Sequence, residues 1–185
     1  MRNKVHNYSV AIEVLRNDGV IAYPTEAVYG LGCSPFSEKA VEKLLAIKQR
    51  DVAKGLILIA ANFVQLESLL QPLPQERLDQ ILATWPGPVS WACPKTDKVP
   101  AYIHGDWSSV VVRVSAHPIV QQLCLQFGGP LVSTSANIQG ADPCRSAAEV
   151  SAVFGPSVDH VIVGEVGILE KPTPIFDALT GHVFR

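Results

Sequence analysis

Three cations, Lys48, Arg50 and Lys54, fall within AIKQRDVAKGLILIA (residues 46–60), between an amphipathic helical pattern and a nearly pure apolar run. Unpaired charge beside a core is costly, so the cluster is either a solvated helix end favoured by the dipole or the rim of an anion site. On a helix, Lys48 and Arg50 would diverge. On an extended segment, which Gly55 and the following strand favour, both would face one side. A second set of candidates lies in LVSTSAN, where Ser133, Ser135 and Asn137 recur at every second position. An extended chain would present them as a row of two hydroxyls and an amide, short donors suited to phosphate or carboxylate oxygens. The alternative is an ST-turn with a capping asparagine. In YPTEAVYGLG, Thr25 and Glu26 follow an apolar strand, and Gly30 and Gly32 permit tight turns and close ligand approach. Finally, Arg113 interrupts the β-rich run SSVVVRVS, which puts it at a sheet edge in the ordinary case and in a cleft otherwise.

The elements that must hold these residues alternate along the chain. VIAYP, GLILIA, VSWAC, SSVVVRVS and PLVSTS have strand length and composition, and GLILIA suits a strand covered on both faces. Ser37 can cap SEKAVEKLLAIK, Asn62 with Gln65 and Ser146 with Glu149 form capping boxes, and Pro118 opens a helix that Gly128 and Gly129 close. The tail, DHVIVG and then TPIFDALTGHVFR, reads as strands joined by a turn near Thr180 and Gly181. Strands interspersed with helices, and a hairpin-like tail, imply an α/β fold with a mixed sheet in one domain, residues 1–185. The polar segments then line a cleft at strand ends, where open α/β sheets bind ligands, and a nucleotide is the leading ligand.

Other chemistries are excluded or weakened. There is no G-x-x-x-x-G-K-[ST] loop, and the Gly30-Leu31-Gly32 start of a dinucleotide fingerprint fails at Pro35. The five histidines show no metal-ligand spacing, so no protein metal site is expected, and STSAN lacks the G-x-S-x-G elbow of a serine hydrolase. The net charge of −2 over 185 residues argues against a generally basic nucleic-acid binder. The four cysteines are widely spaced, as in a reduced cytosolic protein. No signal core or membrane-length apolar run is present, so a soluble, cytoplasmic protein is expected.

YPTEAVYGLG, the Lys48-x-Arg50 pair, RVSAHP and STSAN followed by Gly140 occur in the order and spacing of the YrdC-like family, and the chain resembles its short, single-domain bacterial form over nearly its whole length. The resemblance implies a twisted mixed sheet with flanking helices and a concave, positively charged face. It also implies an L-threonylcarbamoyladenylate synthase. Such an enzyme makes threonylcarbamoyl-AMP and pyrophosphate from L-threonine, bicarbonate or CO2 and ATP with Mg2+, for N6-threonylcarbamoyladenosine in tRNAs reading ANN codons. Carried over by motif, Thr25 and Arg113 would bind threonine, with Thr173 beside them. Lys48 and Arg50 would meet the triphosphate as the catalytic cations. Ser135, Ser133 and Asn137 would hydrogen-bond the nucleotide, and Arg185 would approach ATP. Asp51 stands where longer relatives have proline and is able to pair with an arginine, LILIA lacks their histidine, and the resemblance to the short form implies a protein without their additional C-terminal domain. The resemblance also permits a different class, a binder of tRNA or double-stranded RNA in ribosome maturation, and contact with the transferase complex that modifies tRNA.

Overall fold

The apolar runs become the centre of one mixed sheet because each buries side chains on both faces. The computed structural model describes residues 8–169 and 173–184. Among them the strands are β1 (Ile21–Pro24), β2 (Tyr29–Gly32), β3 (Ile57–Ala60), β4 (Ser90–Pro94), β5 (Ser109–Val114), β6 (Leu131–Ser135), β7 (His160–Val161) and β8 (Ile175–Asp177). Their order is β7-β1-β2-β6-β3-β5-β4-β8, with β1–β7, β3–β5 and β4–β8 parallel and the other pairs antiparallel. The helices are α1 (Ser9–Arg16), α2 (Glu38–Lys48), α3 (Val64–Glu67), α4 (Gln75–Ala83), α5 (Ala101–His104), α6 (Pro118–Phe127) and α7 (Ala147–Phe154).

The register explains where a cleft can form. Ile57 pairs with Val111 and Ser133, and Ile59 with Arg113 and Leu131, so all six side chains share one face of the sheet. Leu58, Val112 and Val132 share the other, inside the larger core with Val41, Leu44 and Ile103 from α2 and α5. On the first face, Ile59 and Leu131 pack with Ile12, Leu15, Val120 and Leu123 of α1 and α6. That helical cover reaches only part of the face. Ile57, Val111, Arg113 and Ser133 lie beyond it and border open space.

Local signals mostly act as their chemistry dictates. The Ser37 hydroxyl accepts from the Ala40 amide, Ser146 accepts from Glu149, and Gly128 closes α6 with φ 91°. The Asn62–Gln65 box forms only in part: Asn62 accepts from the Gln65 amide, whereas the Gln65 side chain accepts from Ala61. The helix it starts is a single turn, α3. In the tail, the turn near Thr180 is held by Asp177, whose carboxylate accepts from the Leu179 and Thr180 amides and is thereby kept below its usual pKa. The strand from DHVIVG does not join that hairpin but pairs with β1 at the opposite edge of the sheet. The four cysteines are free and buried.

Candidate functional site

A cavity of about 180 Å³ occupies the uncovered end of the sheet. Gly30, Ser133 and Ser135 form its floor from β2 and β6, Thr25 closes one side, and Arg50, Arg113 and Thr173 supply the charged and hydroxylic wall. Thr25 is fixed by the tight β1–β2 connection, where its hydroxyl donates to Val28 O at 2.8 Å. Gly30 has a steric role: a Cβ there would lie 3.3 Å from the Thr25 methyl and 3.5 Å from Ser133 Oγ, filling the floor between two cavity residues.

Arg113 is not at a sheet edge. Its strand, β5, runs between β3 and β4, and the residue is only 7% exposed, so the cleft alternative holds. A buried guanidinium needs partners. Arg113 Nη1 donates to Thr173 Oγ1 at 3.0 Å, and Nη2 lies 3.4 Å from Glu26 Oε2. Glu26 is itself anchored, because its Oε1 accepts from Ser115 Oγ at 2.7 Å and from the Ala116 amide at 3.1 Å. Ser115 Oγ in turn accepts from the His117 amide at the start of α6. The cation facing the cavity is therefore braced from behind by a carboxylate that the helix entry holds still. The sequence places Glu26 beside Thr25 but gives no sign of this role, because its partners lie far along the chain.

The lysine–arginine pair is arranged differently from either sequence expectation. Lys48 ends α2, and Gln49 adopts a left-handed conformation (φ 52°) that turns the chain sharply before Arg50. Arg50 reaches the cavity wall, where its Nη2 donates to Gly55 O at 2.9 Å. Lys48 does not line the cavity. It is buried behind the end of β6, donating to Ser135 O, to Asn137 O at 2.8 Å and to Asn137 Oδ1 at 3.3 Å. Burial, and then the nearby charge of Arg50, lower its pKa from 10.5 to about 8. Asp51 caps the short 3-10 turn Val52–Lys54, its Oδ1 accepting from the Ala53 amide.

The row of donors beyond β6 also needs correction. The strand ends at Ser135, and the Asn137 side chain turns away into the following loop, donating to Ala141 O at 2.8 Å and accepting from Ser135 Oγ at 2.7 Å. Asn137 thus fastens the loop and leaves the cavity floor to Ser133 and Ser135. Arg185 lies outside the described residues. Thr25, Arg50, Arg113, Ser133, Ser135 and Thr173 are brought together, while Lys48 and Asn137 stand one layer behind.

The depressed Lys48 pKa has a consequence for stability. Between about 8 and 10.5 the unfolded chain holds a proton on Lys48 that the folded chain has released, so this group makes stability rise with pH across that window. Denaturant unfolding at both ends of the window is expected to shift toward the folded state by more in the wild type than in Lys48→Met, since the buried Cys33, Cys93 and Cys124 thiols, pushed up to about 12, act in the opposite sense equally in both.

Known proteins share this architecture. The Sua5/YciO/YrdC family model, described as "Telomere recombination", matches residues 13–185. A threonylcarbamoyl-AMP synthase of Coxiella burnetii is 47% identical over 175 residues, covering 95% of this chain and 94% of its own. One of Yersinia pestis is 51% identical over 192 residues, covering 100% and 99%. The crystal structure of P. abyssi Sua5 complexed with L-threonine superimposes with a TM-score of 0.86 at 33% identity, covering 91% of this chain and 49% of that one, so the present chain spans about half of that protein. E. coli YciO gives 0.81 at 27% identity, with 95% and 86% covered. With the model match running through every segment that builds the cavity, and relatives close to half identical from end to end, the chain belongs to the Sua5/YciO/YrdC family.

Proposed function

We infer that this protein is an L-threonylcarbamoyladenylate synthase, an ATP-dependent nucleotidyltransferase. The observation that carries this reading is the pairing, in one cavity, of a braced cation beside hydroxyl groups with a second cation near short donors. The first suits an α-amino acid whose side chain bears a hydroxyl, and the second suits phosphate. The naming of full-length relatives as threonylcarbamoyl-AMP synthases supports the same conclusion.

The chemistry asks little acid–base work of the protein. Threonine's amine loses a proton and forms an N–C bond to CO2, giving a carbamate that is already an anion. A carbamate oxygen attacks the α-phosphorus of ATP, the bond from that phosphorus to the bridging β-phosphate oxygen breaks, and pyrophosphate leaves with the electron pair. Such transfers depend on alignment and on neutralising charge spread over the phosphoryl oxygens. Arg113 and Thr173 hold the threonine carboxylate, and Thr25 packs against its side chain. Arg50 meets the phosphates, Ser133 donates to an oxygen above the floor, and Ser135 joins it when its one hydroxyl proton turns from Asn137 Oδ1 to the ligand. Lys48 acts from behind, fixing the Ser135–Asn137 backbone while its charge adds to the field at the cavity. Magnesium enters as the ATP complex, held by phosphate oxygens and water. No three His, Cys, Asp or Glu side chains gather into a metal site among the described residues. The product supplies the threonylcarbamoyl group for tRNA, with the modifying transferase as the partner that consumes it. Among the described residues no helix is long and apolar enough to cross a membrane.

The test is pyrophosphate release from ATP, magnesium and bicarbonate with each of several amino acids. Release is expected with L-threonine, weakly with L-serine and not with L-valine. Equal release with all three, or none with threonine, overturns the reading.

A further inference from the structure

Tyr23 projects from the same face of the sheet as the cavity, yet it does not line it. Tyr23 pairs with Gly30 across β1 and β2, and Gly30 pairs with Ser135 across β2 and β6. By alternation, positions 23, 30, 32, 133 and 135 therefore share one side. The tyrosine is wholly buried and belongs to the core cluster of Ile59, Cys124 and Leu131, in the part of that face that α1 and α6 cover. Its tip leaves that cover by crossing Gly32, where a Cβ would meet both Tyr23 Cε1 and Tyr23 Oη at 2.8 Å. The second glycine of YGLG thus serves a different purpose from the first. Gly30 keeps the cavity floor open, and Gly32 clears a lane along which a side chain of β1 passes over β2 to reach β6. At the end of that lane the phenol donates to Val132 O at 3.2 Å and is hydrogen-bonded to the Ser133 side chain. A phenylalanine would fill the same space, so packing alone does not require the hydroxyl, and burying one costs free energy unless it finds partners.

We propose that Tyr23 is a positioning residue, which holds the Ser133 hydroxyl in the orientation from which it donates to a phosphate oxygen of ATP. The proposal rests on the synthase reading and adds what makes one of its floor donors effective. A serine hydroxyl has a single proton and rotates about its C–O bond unless a second partner fixes it. In the structure the phenol proton is on Val132 O, so the Ser133 proton is the one in the bond the two hydroxyls share. When a phosphate oxygen arrives above the floor, Ser133 turns its proton to that oxygen, and the phenol turns its own from Val132 O to Ser133 Oγ. No O–H bond breaks, since both groups only rotate. Each hydrogen bond in such a chain polarises the next, so a serine backed by a phenol is a stronger donor than a serine alone. The phenol keeps its proton throughout, because burial pushes its pKa above the usual tyrosine range.

Tyr23→Phe keeps the ring and deletes only the hydroxyl. It should raise the KM for ATP about three- to tenfold, the worth of one hydrogen bond, and leave the KM for L-threonine within about twofold. Inhibition by magnesium tripolyphosphate, which offers phosphate oxygens and nothing else of the nucleotide, should weaken by the same factor. An effect exerted through Ser133 has a signature that lost packing lacks. Added to Ser133→Ala, the Tyr23→Phe change should cost nothing further, so the double variant should match Ser133→Ala in its ATP KM. An unchanged ATP KM in Tyr23→Phe overturns the proposal. So does an equal fold-loss from Tyr23→Phe in the wild type and in Ser133→Ala, which would mark the phenol as a purely structural group. Either result is compatible with threonine-dependent pyrophosphate release by the wild type, so failure of this assignment is distinct from failure of the synthase reading.

Discussion

Arg113→Ala is expected to abolish measurable L-threonine binding and, unlike most changes in a ligand site, to destabilise the protein by about 3–5 kcal/mol. Both effects follow from one arrangement. The guanidinium is the cavity cation proposed to hold the threonine carboxylate, and it is also the ion-pair partner of a buried carboxylate. Removing it leaves Glu26 charged in a dry environment with only Ser115 and Ala116 to stabilise it. The two effects separate in a double variant. Adding Glu26→Gln should recover most of the stability, since a neutral amide replaces the stranded charge, and should recover no binding. Unfolding free energies and threonine calorimetry on the single and double variants check both halves. If the double variant is no more stable than Arg113→Ala, the buried pair is not the origin of the loss.

Arg50→Ala should lower threonine-dependent pyrophosphate release about 10²- to 10³-fold, the range typical for removing a preorganised charge from a transition state. Its effect on stability should be small, about 1 kcal/mol, because the residue is half-buried and its contact with Gly55 O is an ordinary hydrogen bond. Lys48→Ala should behave differently. It removes a donor from two half-buried carbonyl groups, Ser135 O, which keeps the Asn137 amide, and Asn137 O just past β6, so activity and stability fall together. A change in Tm that is clearly larger for Lys48→Ala than for Arg50→Ala, with both nearly inactive, is the expected pattern. Near-normal turnover in Arg50→Ala would remove the phosphate role assigned to that side chain.

The difference between the two cations shows what a sequence of this kind can and cannot disclose. The strand GLILIA, the Ser37 cap and the Gly128 stop were legible because each depends on a few neighbouring residues. The YPTEAVYGLG and LVSTSAN segments were recognisable as site material for a similar reason, polar types at the ends of apolar strands. Their orientation was not legible. Whether Arg113 faces a cleft or an edge depends on β4 and β3 flanking β5, which is a matter of strand order rather than of local pattern. Whether Lys48 and Arg50 point together depended on one left-handed residue, Gln49, of a type that rarely adopts that conformation. Alternation likewise placed Asn137 in line with Ser133 and Ser135, but alternation ends where the strand ends.

Thr173 touches the same guanidinium that Thr25 faces across the cavity, although these residues come from nearly opposite portions of the polypeptide. On the ribosome, then, the cavity cannot be assembled from the portion that emerges first. Translation must pass Thr173 before the cavity has its hydroxylic wall, so a product stopped short of it should neither sequester threonine nor consume ATP.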